Sequence, residues 1–140
     1  GTMNVHGLAG LRAGLLYLRE TGLEAIRQQE LALMRRFYEL VRDVPRVNVY
    51  GDFSQAERAP IVSLNIGTVP SGTIADRLST QYGICTRPGG HCAPLMHRHF
   101  GTEQQGMVRF SFSSFNTMAE IEQAAAAVRQ LAAEEAEDAI

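Results

Sequence analysis

Apolar residues recur at helical spacing through the first third of the chain. Val5, Leu8, Leu11, Leu15 and Leu18 follow one another at three- and four-residue steps, the separation that brings side chains onto one helix face. The pattern predicts a helix over 5–19, with Asn4 as its N-cap and Thr21-Gly22 as its end. Gly7, Gly10 and Gly14 lie on the same stretch and leave a bare stripe, expected to receive the close approach of another backbone. They sit inside a helix and follow no strand, which excludes a phosphate-cradling loop. A second helix is predicted over 23–44, with Leu23, Ile26, Leu33, Phe37, Leu40 and Val41 on its apolar stripe and Pro45 ending it. Arg35, Arg36 and Arg42 alternate there with Glu30, Glu39 and Asp43 and read as a solvated face.

The period then shortens to two. Val47 to Tyr50 alternates as a short strand, and the polar stretch 51–59 connects it to Pro60-Ile61-Val62-Ser63-Leu64-Asn65-Ile66, a β-branched, half-buried strand in which Pro60 fits only at the first position. Ser71 is expected to cap a helix from Gly72 to Gln81, with Ile74 and Leu78 inward, and Gly83 to end it. Ile84 to Arg87 reads as a further strand. Met107 to Phe112 is another, with Met107, Arg109 and Ser111 on one side and Val108, Phe110 and Phe112 on the other. Thr117 to Glu120 forms a capping box for a last helix that buries Ile121, Ala124, Ala125, Val128 and Leu131. The acidic stretch Glu134 to Asp138 is expected to fray. The order ααββαββα predicts a single α+β domain over 1–140: a small, mostly antiparallel sheet with helices packed on one face.

Between Arg87 and His99 the periodicity lapses. The segment Arg87-Pro88-Gly89-Gly90-His91-Cys92-Ala93-Pro94-Leu95-Met96-His97-Arg98-His99 is punctuated as a loop by proline and glycine. It gathers three histidines, two arginines and a cysteine. Cys92 follows His91 directly and Arg87 by five residues, a setting in which positive charge lowers a thiol pKa and supplies the nucleophilic thiolate. Cys85, in the strand before, is expected to be a buried small hydrophobe. Arg109 stands within an apolar strand, where an unpaired guanidinium is costly; a carboxylate met bidentately accounts for it, as does an internal salt bridge. His91, Cys92, His97 and His99 have neither a Cys-x2-Cys nor a His-x3–5-His spacing, so no metal site is expected. His97 and His99 are expected at the surface or against a companion domain.

Composition narrows the functions. The formal net charge is −2, with acids and arginines interleaved, so no basic face argues for nucleic acid. No apolar run approaches the roughly 20 residues of a membrane span. With no signal peptide expected at the start and two cysteines that make no disulfide framework, a reduced, cytoplasmic protein is expected. All 13 basic residues are arginine. A pyridoxal phosphate enzyme holds its cofactor on a lysine, and this chain has none to offer.

That point matters because of a resemblance. Arg87-x-Gly89-x-His91-Cys92-Ala93-Pro94 resembles the active-cysteine loop of the cysteine desulfurases and selenocysteine lyases, class V, fold-type I enzymes that use pyridoxal 5'-phosphate. Gly1-Thr2-Met3-Asn4 resembles the entry to that family's C-terminal small domain. Met107 to Phe112, with Phe115-Asn116-Thr117, resembles its arginine strand and the turn into its last helix. The resemblance implies that the chain is the C-terminal small domain, that the large cofactor-binding domain is absent from it, and that the chain alone is inactive. It implies Cys92 as the nucleophile that takes sulfur from L-cysteine, leaving L-alanine and an enzyme persulfide. Arg109 is then the ligand of the substrate carboxylate, Arg87 a second substrate-binding arginine, Thr2 a contact to the cofactor phosphate and His91 a supporting residue. The implied partners are an L-cysteine-type substrate, the large domain, a second subunit in a homodimer and a protein that accepts the sulfur, so the isolated domain is expected to expose apolar surface and self-associate. Two other readings use the same residues: a class V aminotransferase or epimerase in which Cys92 is incidental, and a non-enzymatic α+β subunit.

Overall fold

The computed structural model describes residues 1–137. Asn4 opens α1 (Val5–Thr21) by accepting the Gly7 N–H at 2.9 Å, and Gly22 ends it with φ +86°, a conformation glycine adopts without steric cost. Helix α2 (Leu23–Val41) follows, then strands β1 (Val47–Tyr50) and β2 (Ile61–Ile66). Helix α3 (Ser71–Tyr82) closes on Gly83 in the left-handed region. Helix α4 (Pro94–Phe100), strand β3 (Val108–Ser111) and helix α5 (Met118–Glu137) complete the order.

The three strands form an antiparallel sheet in the order β1-β2-β3. Register places Tyr50 opposite Ser63, and Ser63 opposite Arg109. Directly opposed residues point to the same face and successive ones alternate. One face therefore carries Val62, Leu64, Ile66, Val108 and Phe110, all buried with α2, α3 and α5 in a single core. Phe37 is the largest fully buried side chain and packs at a tilt against Phe110 and Phe112, with ring centroids 4.6 and 5.3 Å away. The expected capping box is formed: Thr117 N–H donates to Glu120 Oε2 at 2.7 Å, and Glu120 N–H to Thr117 Oγ1 at 3.3 Å. The other sheet face carries Asn48, Tyr50, Ser63, Asn65, Arg109 and Ser111. Phe100 of α4 meets Tyr50 edge-on at 5.5 Å, so α4 lies over this polar face.

The architecture is α+β as expected, with six corrections. The strand expected at 84–87 is reduced to one bridge, Arg87 with Arg109, because Gly89, at φ +91°, gives its N–H to Ser71 Oγ and returns only its carbonyl to Met107. Part of the expected loop is helix α4. Ser71 is the first residue of α3 and makes no capping bond; its hydroxyl is used elsewhere. The acidic end of α5 does not fray through Glu137: Arg77 of α3 pairs with Glu134, and with Glu135 at 3.0 Å. The expectation for Asp138 lies outside the described residues. Helix α1, finally, buries no residue of its own. Leu8, Leu11 and Leu15 are more than half exposed, and a Cβ at Gly10 or Gly14 meets nothing within 4 Å, so no backbone among the described residues packs against these two glycines. Leu23 likewise leaves the expected stripe of α2, at 68% exposure.

Two substitutions separate the core from the open helix. Phe37→Ala removes a fully buried ring and should cost about 3–5 kcal/mol in a urea unfolding curve. Leu11→Ala, on a side chain 59% exposed, should shift the same curve by less than about 0.5 kcal/mol.

Candidate active site

The polar face of the sheet gains its chemistry from the edge beyond β3. Arg87 and Arg109 exchange both backbone hydrogen bonds, Arg87 N–H to Arg109 O at 3.1 Å and Arg109 N–H to Arg87 O at 2.9 Å. Residues paired in this way project from the same face, so the two guanidinium-bearing side chains stand side by side. Met107 N–H extends the pairing to Gly89 O at 3.2 Å. The segment that leads to Cys92 is thus tied to the strand that carries Arg109.

Behind the tie, three polar side chains hold the backbone in place. Asn65 Nδ2 donates to Gly106 O at 2.8 Å, and Gly89 N–H donates to Ser71 Oγ at 3.1 Å. Gln105 Nε2 reaches the carbonyls of Gly67 and Val69 at 3.0 and 2.8 Å. Gly106 is where these supports converge. At φ +68° a Cβ on it would lie 2.5 Å from Ser71 Oγ and 2.8 Å from Gly89 Cα, so only glycine fits.

Residues 90–93 then make a turn closed by Ala93 N–H to Gly90 O at 2.9 Å. Its central residues, His91 and Cys92, have φ +52° and +57°, the signs of a type I′ turn, which glycine, asparagine and aspartate usually fill. Holding other residues there costs on the order of 1–3 kcal/mol each and persists only where the surroundings enforce it. The turn leaves Cys92 exposed. Arg87 Nη2 points at its sulfur from 3.8 Å. His91 donates from Nε2 to the Arg87 carbonyl at 2.8 Å, which leaves Nδ1 as the ring's acceptor. Partial burial is the main cause that lowers the His91 pKa below its ordinary 6.5; the Arg87 carbonyl opposes this, and the charges of Arg109, His97 and Arg87 add to the lowering. His91 is therefore a neutral imidazole at pH 7.

An open groove of about 550 Å³ runs along this turn, lined by Arg87, His91, Cys92 and Pro94, with His97 and Glu103 at its border. Arg109 is half-buried, and its Nε is buried without a partner. No carboxylate among the described residues pairs with Arg109 or Arg87. The internal salt bridge that also accounted for Arg109 is thus not formed among them.

The structure brings together Cys92, Arg87, Arg109 and His91. It does not bring Thr2 to them: Thr2 is exposed ahead of α1, a helix whose neighbour is α2. Cys85 is exposed, not buried, because residues 84–87 lie on a sheet edge where Ile84 and Thr86 turn inward and Cys85 and Arg87 outward. His97 is buried at 2% exposure, not on the surface, since α4 lays it against the polar sheet face. Asn65, Ser71 and Gln105 were missed as supports of the site. An asparagine inside the strongest strand was the one available signal. No group of three metal-ligating side chains occurs among the described residues, and no described helix is long and apolar enough to cross a membrane.

The fold and this arrangement define a class that comparison makes explicit. The profile of the aminotransferase class-V family matches residues 1–124, and the chain belongs to that family. Its relatives include the cysteine desulfurase of Serratia proteamaculans strain 568, 36% identical over 132 residues, and that of Pectobacterium carotovorum strain PC1, 33% identical over 131; each match covers 94% of this chain and 31% of the relative. Among solved structures, the apo cysteine desulfurase of Thermococcus onnurineus NA1 matches with a TM-score of 0.87 at 31% identity, over 96% of this chain and 32% of that one. The cysteine desulfurase CsdA of Escherichia coli shares the fold, with a TM-score of 0.79 at 23% identity over 93% of this chain and 31% of that one. The chain spans about a third of the length of these relatives.

Two predictions follow from the geometry of the loop. Gly106→Ala forces both a positive φ on a residue with a Cβ and contact with Ser71 and Gly89, and should destabilise the protein by about 2 kcal/mol or more in urea unfolding. His91, followed by its ring resonances, should titrate with a midpoint below 6.5. Because the folded state binds this proton less readily than the unfolded chain, its contribution to stability is full above pH 6.5 and is lost as pH falls through the folded pKa. In His91→Gln, unfolding curves should lose that part of their acid dependence.

Proposed function

We propose that this chain is the C-terminal small domain of a pyridoxal phosphate-dependent cysteine desulfurase, and that Cys92 is its sulfur-accepting nucleophile. The observation that carries the reading is the exposed Cys92 sulfur on a left-handed turn, 3.8 Å from Arg87 Nη2, on an edge tied to Arg109. Family membership implies the cofactor in general terms. The residues here fit a supporting role toward it: the chain contains no lysine and so supplies no amine for covalent attachment, while it does supply cations and a thiol. The large domain, with its lysine, is assigned to polypeptide outside this chain, which leaves the chain inactive by itself.

Arg109 holds the carboxylate of L-cysteine through its terminal guanidinium nitrogens, for which no carboxylate among the described residues competes. Arg87 stands beside the same anion and beside the attacking sulfur. The bound cofactor supplies the electron sink for the pair released when the substrate C–S bond breaks. Cys92, as thiolate, attacks the substrate sulfur; the new S–S bond forms as the C–S bond breaks, and a proton delivered to carbon completes L-alanine. The product on the protein is a Cys92 persulfide, and L-cysteine plus one thiol balances L-alanine plus that persulfide. The His91–Arg87 bond keeps the turn that presents the sulfur. Thr2 is assigned a contact to the cofactor phosphate, and the assembly is a homodimer that works in the cytoplasm and passes its sulfur to an acceptor protein.

The test uses the enzyme that contains this chain together with its large domain. Cys92→Ala should lower alanine release from L-cysteine by about a hundred-fold or more, as loss of a covalent nucleophile does, with the cofactor absorbance unchanged. Arg109→Gln should raise KM for L-cysteine. Full alanine production by Cys92→Ala sinks the reading and leaves a transaminase or epimerase of the same class.

A further inference from the structure

A strained turn needs something that enforces it, and the bonds closing the Cys92 turn on its own are local: Ala93 to Gly90 and His91 to Arg87. The enforcing group from outside the turn is His97. Its backbone N–H bonds to Ala93 O at 3.2 Å in the first turn of α4. Its ring is buried at 2% exposure and lies 5.7 Å from the His91 ring, tilted by 57°. Nδ1 is fixed by Thr102 Oγ1 at 2.9 Å. Thr102, also buried, donates its N–H to His97 O at 2.9 Å and accepts the Gly106 N–H at 2.8 Å. Gly106 in turn is held by Asn65. A continuous set of contacts therefore runs from the end of β2 through Asn65, Gly106, Thr102 and His97 to the ring of His91, and from there to Arg87 and Cys92.

The burial of His97 is not explained by packing alone. Its Nε2 is buried without a partner, an unfavourable state for a ring nitrogen, at a position where a leucine would fill the space without that penalty. What the ring does provide is a rigid, two-ended body, locked at one end by Thr102 and pressed on the other against His91.

We propose that His97, locked by Thr102, is a positioning residue for Cys92: it sets the His91 ring, and through the His91–Arg87 bond it fixes the sulfur beside the Arg87 guanidinium. The purpose assigned to this control rests on the reading of Cys92 as a nucleophile, but the control itself is a property of this chain and is measurable without cofactor.

Cys85 and Cys92 are both exposed, so each molecule carries its own reference thiol. In the full chain, alkylation by iodoacetamide is followed at both sites by peptide mass spectrometry for wild type, His97→Leu, Thr102→Val and His97→Asn. His97→Leu and Thr102→Val should change the Cys92 rate by roughly ten-fold, the scale on which small misplacements of a reactive group act, with the Cys85 rate unchanged. His97→Asn, whose amide can still meet Thr102, should recover most of the wild-type rate. The His91 titration midpoint should move toward 6.5 in the first two variants as its burial is relieved. Phe37→Leu, a destabilising change remote from the loop, is the control for general loosening and should leave both readouts in place. A Cys92 rate in His97→Leu and Thr102→Val equal to wild type overturns the proposal, and so does an equal change in Phe37→Leu. Loss of Cys92 control in an enzyme that makes alanine without Cys92 retains this inference and rejects the sulfur-transfer reading, so the two fail separately.

Discussion

The pair of backbone hydrogen bonds between Arg87 and Arg109 is the constraint on which the site depends. It is the bridge by which the segment leading to Cys92 joins the sheet, reinforced by Met107 N–H to Gly89 O, and its geometry fixes that both side chains leave from the same face. Without it, two cations twenty-two positions apart in sequence would have no reason to converge, and the thiol would have no fixed neighbour. The sheet contributes rigidity here rather than chemistry: β3 is held on its inner side by β2 and by the core around Phe37. The outer side of β3 is therefore a stable edge on which a short, irregular segment is positioned by few bonds.

The irregular segment is over-determined by small polar supports. Ser71 bonds the Gly89 N–H and Gly106 abuts Gly89, just ahead of the turn, while Asn65 holds the Gly106 carbonyl and Gln105 the carbonyls of Gly67 and Val69 behind them. Such support is what allows His91 and Cys92 to remain in a left-handed conformation that the chain does not otherwise favour. The strain sits at the one exposed thiol that lines the groove.

Helix α1 follows the opposite logic. Its apolar stripe and its glycines are those of a buried helix, but the described chain offers them nothing to pack against. The surface is continuous, with Leu8, Leu11, Leu15 and Leu16 around a shallow depression bordered by Arg12 and Arg19. In relatives about three times as long, further polypeptide is present, and the proposal that a large domain accompanies this chain gives that stripe a partner.

Local physics was sufficient for most of the scaffold. Periodicity placed α1, α2, α3, α5 and β1 to β3, though not α4, because burial on one face repeats every 3.6 or 2 residues. Asn4, Gly22, Gly83 and the Thr117–Glu120 box marked their ends through bonds that span only a few residues. The Arg87–His99 composition, and its resemblance to a family loop, marked Cys92, His91 and Arg87 as candidates, and a guanidinium within the apolar strand 107–112 marked Arg109. What tertiary structure alone decided was non-local: which edge Arg87 joins, that Cys85 faces outward and His97 inward, that Ser71 serves Gly89 instead of its own helix, and that the described residues leave the leucine stripe of α1 uncovered. Those outcomes depend on register and on contacts across tens of residues, and a hydrophobic pattern, which reports each residue's average preference for burial, carries no term for them.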